Sequence, residues 1–136
     1  MTIKSKTITK GFIIAGLLNM TVLVFSRFFT NSVIPESDPD VMSNFGLLMI
    51  VIWGLAYISI AKNYHNVKWL VGVFAVEKFI YGLIWIKWIL NNNVLDVFAK
   101  DKMAGMFYAI YGVNDWIFFI FFILVFFRLS NTGNKE

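Results

Sequence analysis

The sequence predicts an all-α integral membrane protein: a bundle of four transmembrane helices, with a short interfacial helix between the third and the fourth. Composition is the first observation behind this. Hydrophobic residues fill 59% of the 136 positions and charged residues only 15%, against about 45–50% apolar and about 25% charged in soluble domains. The second is segmentation. The apolar residues gather into four runs near the ~20 residues that a helix rising about 1.5 Å per residue needs to cross roughly 30 Å of hydrocarbon. The third is what interrupts those runs: Glu77, Lys78 and Asp115 stand in their middle, where hydrocarbon disfavours charge. A chain of this length suits a single transmembrane domain, residues 1–136.

The first helix is expected over Gly11–Phe29. It has no small-residue cleavage site and outruns a signal-peptide core, so it reads as a retained helix. Asn31–Ser43, with Glu36, Asp38, Asp40 and two prolines, reads as an acidic, turn-rich loop, and Ser43 or Asn44 is placed to cap the second helix, Phe45–Ala61. The connection Lys62–Asn66 is tight, so the second helix and the third, Val67–Leu90, should form an antiparallel hairpin. Asn91–Asn93 can end the third helix. Val94, Leu95, Val97 and Phe98 then recur at helical spacing beside Asp96 and Lys100, the pattern of an interfacial helix. The fourth helix is expected over Ala104–Leu129.

Charge sets the orientation. Lys4, Lys6 and Lys10 precede the first helix, Lys62 and Lys68 flank the second connection, and Arg128 and Lys135 follow the last; the other side offers chiefly Lys100 and Lys102, with Lys87 and Arg27 near helix ends. The positive-inside rule then puts both termini in the cytoplasm of a multi-pass protein of the cell (inner, cytoplasmic) membrane, and the Ile-, Phe-, Lys- and Asn-rich usage fits a bacterial one. The formal charge of +4 is explained by this distribution, so no nucleic-acid partner is expected.

Several chemistries are excluded or unsupported. With no cysteine, disulfides, thiolate catalysis, iron–sulfur clusters and cysteine-ligated zinc are out. His65 is the only histidine and cannot build a histidine metal centre alone. The Glu36, Asp38 and Asp40 spacing matches no calcium loop, and phosphate-binding glycine loops and serine elbows are absent. No cofactor or metal is expected. No internal repeat of the kind that marks transporter halves is visible.

The insertion balance of the third helix is close. Its thirteen Leu, Ile, Val and Phe residues contribute about −6 kcal/mol, whereas Glu77 and Lys78 cost about 2.5–3.5 kcal/mol each if charged at mid-depth. Such a helix needs polar partners from its neighbours. Asn19 and Glu77 both lie about 13–17 Å from the cytoplasmic helix ends, and Asp115 sits near the middle of the fourth helix. At 100° per residue, Glu77 shares a face with Phe74, Tyr81, Ile84, Trp85 and Trp88, and Asp115 with Tyr108, Tyr111, Gly112 and Phe119. Asn19 lines up with Gly16, Leu23, Ser26 and, at the edge, Arg27, while Trp53 lines up with Tyr57. If the four stripes face inward, they enclose an aromatic-walled pocket with polar groups at mid-membrane.

The candidate ligand-binding residues are therefore Asn19, Trp53, Tyr57, Glu77 and Lys78 on the first three helices, with Tyr81, Tyr111, Asn114 and Asp115 completing the set. Glu77 and Asp115 are the candidate catalytic groups, and Asn114–Asp115 is a candidate proton-handling pair. The bland alternative is that the charges pair with one another and with Asn19 to lock helix register. Trp69, Trp88 and Tyr108, near helix ends, read as interfacial belt residues. Small residues at Gly105 and Ala109, and at Ala15 or Gly16 with Asn19, read as points of close helix approach.

Three functions fit. The first is binding or transforming a lipophilic small molecule, with the carboxylates stabilising a cation or moving a proton and Asn19 and the tyrosines orienting the ligand. The second is an accessory or scaffold subunit of a membrane complex whose polar cluster is structural. The third is a small proton-coupled transporter acting as an oligomer. Membrane lipids are the expected surroundings, and a homo-oligomer or another membrane protein is the expected partner in the last two. If the cluster is functional, Glu77→Gln and Asp115→Asn should both abolish binding with little loss of stability.

Overall fold

The computed structural model of the chain describes residues 3–133, so Lys135, counted in the charge bias, lies outside the described residues. Of these residues 82% are helical, and no strand occurs among them. The helices are α1 (Ser5–Met20), α2 (Val22–Phe25), α3 (Val33–Ser37), α4 (Asn44–Ile60), α5 (Lys68–Asn91), α6 (Val94–Lys100) and α7 (Lys102–Gly133), with a 3₁₀ turn at Tyr64–Asn66. Three helical stretches are long and apolar enough to cross a membrane: Ser5–Phe25, which joins α1 and α2, Lys68–Asn91 and Lys102–Gly133. α4 is apolar but has 17 residues, a rise of about 26 Å.

The first helix starts at Ser5, not Gly11, and stops at Phe25, not Phe29. The backbone tightens at Thr21, whose hydroxyl donates to the Leu18 carbonyl. The chain then takes three consecutive left-handed residues, Arg27, Phe28 and Phe29, with φ of 47°, 53° and 66°. Each such residue costs roughly 1–2 kcal/mol, so no helix passes through them. Ser26, buried, holds the turn: its Oγ accepts from the Phe29 amide at 3.0 Å, and its carbonyl accepts from the Thr30 and Asn31 amides.

The stretch expected as a loop contains the one-turn helix α3 and folds over the end of the bundle. Pro35 fits there because the first turn of a helix leaves its amides unpaired anyway. Ile34 and Met42 are fully buried. Trp88 Nε1 donates to the Ser37 carbonyl at 3.0 Å, and the Tyr108 hydroxyl to the Ile34 carbonyl at 2.6 Å. Trp88 and Tyr108, expected as belt residues, are instead buried struts stacked 4.2 Å apart, whereas Trp69 is exposed under the Lys68 ammonium. Ser43 caps α4 by accepting from the Gly46 amide at 3.1 Å.

Helix pairing departs from the expected hairpin. Although the link between α4 and α5 is short, α4 packs chiefly on α1, and α5 on α7. Lipid tails are as apolar as leucine, so close approach of small residues, more than burial, selects such partners. Gly16 and Gly54 meet at the α1–α4 crossing, where a Cβ on Gly54 would lie 2.8 Å from the Gly16 carbonyl oxygen. Between α5 and α7, the Trp85 ring fills the space beside Gly112 and the Trp116 ring the space beside Gly82. Across α4 and α5, by contrast, the bulky Trp53, Tyr57 and Phe74 meet edge to face, with centroids 6.1 and 4.8 Å apart. These rings hold the two axes apart.

Two apolar cores result. One gathers around Phe12, Tyr57, Phe74 and Phe122, the other around Ile34, Leu47, Trp88 and Tyr108. On α1, α5 and α7 the polar residues Asn19, Lys78 and Asp115 fall between the residues given to one core and those given to the other. α6 lies along α7, burying Val97 and laying the Phe98 ring on Gly105.

Candidate functional site

Four helices each contribute a polar side chain to one buried network. Lys78, 1% exposed, donates from Nζ to Asp115 Oδ1 at 2.7 Å and to Asn19 Oδ1 at 2.9 Å. Asn19 in turn donates from Nδ2 to the Ile50 carbonyl at 3.0 Å, which ties α1 to α4. The Tyr57 hydroxyl donates to Glu77 Oε2. The network therefore links α1 and α7 through Lys78, and α4 and α5 through Tyr57 and Glu77. Ionised groups in such surroundings persist only when paired and hydrogen-bonded, and Lys78 meets that condition with an anion, an amide and the Tyr57 ring, whose centroid lies 5.4 Å from Nζ.

The two carboxylates differ. Asp115 is matched by a cation, but Glu77 Oε2 has only a neutral phenol for a partner, and among the described residues its Oε1 accepts no hydrogen bond. Both carboxylates line a cavity of about 510 Å³, within the roughly 300–1,000 Å³ usual for small-molecule sites. Of the nine residues expected to bind ligand, Asn19, Glu77, Lys78, Tyr81, Tyr111, Asn114 and Asp115 line it. Tyr57 stands behind the wall, holding Glu77. Trp53 does not line the cavity; its ring packs on Phe74 in the aromatic core. Tyr111 is buried, and its hydroxyl has no partner among the described residues.

Thr21 apart, the rest of the wall is apolar, and it was not singled out from the sequence. Phe25 and Phe107, with ring centroids 6.3 Å apart, bound one end, and Phe118 the other. Phe107 was legible, since it stands four residues before Tyr111 on the same face of α7; Phe25 was not, because the tightening at Thr21 changes the helical phase beyond it. Leu18, Ile110, Val113 and Ile117 also line the cavity, yet each is between 43% and 57% exposed. The cavity therefore opens on the apolar outer surface between α1 and α7, two helices that touch little along their length.

A second polar cluster lies beyond the network, at the start of α7. Asp101 Oδ1 caps that helix, accepting from the Ala104 amide at 2.8 Å and from Asn31 Nδ2 at 2.9 Å, while Oδ2 pairs with Arg27 at 2.8 Å. The Ala104 amide above all, then Asn31 and Arg27, hold its carboxyl below the usual carboxylate range. Arg27 and Ser26 thus serve the turn and the clasp rather than the Asn19 stripe. His65, in the short link, is exposed and stacked on Tyr64.

No family model matches this sequence, and no curated protein or solved structure shows significant similarity to it.

Proposed function

We propose that the protein is a four-span protein of the bacterial inner membrane, with both termini cytoplasmic, that binds or transforms a lipophilic small molecule in the cavity beside Glu77. One observation carries this reading: an apolar-walled cavity, open to the outer surface between α1 and α7, has an incompletely paired carboxylate in its wall. Ligand sites combine apolar walls with a few convergent polar groups in this way, and an intramembrane ionisable residue is by default functional. On this reading α4 is the fourth span, its 17 residues flanked by bent connections, and α6 rests at the membrane–water interface.

The network divides by role. Lys78, Asp115 and Asn19 satisfy one another and lock the helices, which is the structural reading of the cluster. Glu77, Tyr81 and Tyr111 are left for a ligand. Glu77 is the candidate acid or base if a reaction follows binding.

The test is mass spectrometry of the protein purified from its native membrane in a mild detergent. A stoichiometric lipophile is expected on the wild type and should be lost on Val113→Trp, which fills the mouth from an exposed position. A wild type that carries nothing, and whose melting temperature no added amphiphile raises, would overturn the reading in favour of a scaffold.

A further inference from the structure

Resting on the ligand-site reading, we infer that the ligand is a membrane-borne amphiphile with a protonated amine head, which slides in between α1 and α7 and sets its ammonium against Glu77. The cavity wall holds two carboxylates and one ammonium. The ammonium is committed, with Asp115 at 2.7 Å and Asn19 at 2.9 Å. Glu77 is left with a neutral phenol on Oε2, so it is the carboxyl group of the wall that has no cation beside it. A cation placed at Oε1 pairs with the ionised form of Glu77; a carboxylate or phosphate head would arrive with no free cation to meet it, in surroundings where unpaired charge is strongly disfavoured.

The walls favour the same kind of head. Tyr81 and Tyr111 line the same cavity as Glu77. Aromatic faces and phenol oxygens attract a desolvated cation, as the Lys78 ammonium 5.4 Å from the Tyr57 ring already illustrates. The Tyr111 hydroxyl, buried and without a partner among the described residues, leaves a further oxygen of the wall open to a donor.

Access follows from exposure. Leu18 on α1 and Ile110, Val113 and Ile117 on α7 belong to the cavity wall and to the outer surface together. On one side Phe12 and Phe121, with centroids 5.6 Å apart, close the α1–α7 seam. On the other side α2 packs on α7. The opening lies between these two contacts, at the depth of the charges, where the surrounding medium is hydrocarbon. A tail can remain in or near the lipid while the head reaches Glu77.

The experiment compares three probes with the same tail, dodecylamine, dodecanol and dodecanoate, titrated at neutral pH into the full-length protein in a non-ionic detergent, with affinity read from melting shifts. Dodecylamine is expected to bind about tenfold more tightly than dodecanol, the difference between a charge-assisted and a neutral hydrogen bond, and dodecanoate to bind most weakly. Glu77→Gln should bring dodecylamine down to the level of dodecanol without lowering dodecanol. If that variant does not accumulate, the ranking on the wild type decides alone. Dodecanol or dodecanoate binding as well as the amine, or a Glu77→Gln protein that keeps the amine preference, would overturn the inference and leave a lipophile site of another class. No stabilisation by any of the three would overturn both the inference and the ligand-site reading.

Discussion

At the scale of single residues, the geometry separates two carboxylates that look alike in the sequence. Asp115 is the anion that makes a buried Lys78 tolerable, at 2.7 Å, whereas Glu77 has a neutral donor. Asp115→Asn strands the ammonium and is expected to cost about 3–5 kcal/mol, as loss of one member of a buried pair does; Glu77→Gln keeps an acceptor for Tyr57 and should cost less than about 1 kcal/mol. Melting curves of the two variants in the same detergent check this, and equal losses would refute it. On this geometry the two substitutions are expected to differ in stability, although a functional cluster read from the sequence alone treats them alike. Asp101 gives a pH-dependent prediction. Its carboxyl titrates below the usual range because the Ala104 amide, Asn31 and Arg27 favour the anion, so its contribution is present above the ordinary carboxyl pKa of about 3.9 and is lost as pH falls through the lower folded value. Asp101→Ala is expected to cost about 0.5–2 kcal/mol at neutral pH through the lost cap, and to flatten the acid limb of the melting profile below about pH 4.

At the scale of elements, small residues decide which helices touch. A Cβ on Gly54 would meet both the Gly16 carbonyl and Asn19 Cβ at 2.8 Å, so Gly54→Ala has to spread α1 from α4 and pull Asn19 from Lys78. The expected loss is about 1–3 kcal/mol, the usual cost of overpacking, while Gly133→Ala, with open space around it, serves as the unaffected control in the same melting experiment. Much of the site was legible because helix geometry is regular: a rise per residue sets depth and a turn per residue sets phase, and together they put Asn19, Glu77 and Asp115 at one level facing inward. The pairing of helices was not. A short link constrains only the ends of α4 and α5, whereas the Trp53, Tyr57 and Phe74 rings between them set the spacing along their length. Trp88 and Tyr108 misled for a related reason, since an aromatic near a helix end looks the same whether it meets headgroups or a folded-back loop. Nor does local spacing reveal the left-handed turn at Arg27–Phe29, which carries no glycine; it is stabilised by Ser26 and by a partner, Asp101, more than seventy residues away.

At the scale of the whole molecule, the two helix pairs α1–α4 and α5–α7 meet across the polar network, and the cavity is the space they leave between α1 and α7. Orientation is testable apart from function. A cysteine at Ser37 is expected to react with a membrane-impermeant maleimide on intact cells, and one at Ser130 only after permeabilisation; reaction of the Ser130 cysteine from outside would reverse the topology. The central claim, that the cavity beside Glu77 holds a lipophile by its polar head, is tested most directly by an experimental density map of the protein purified from its own membrane. Elongated density of full occupancy is expected, running from Glu77 out between Leu18 and Val113. A cavity closed by repacked side chains, with Glu77 paired to another residue of the chain, would contradict it.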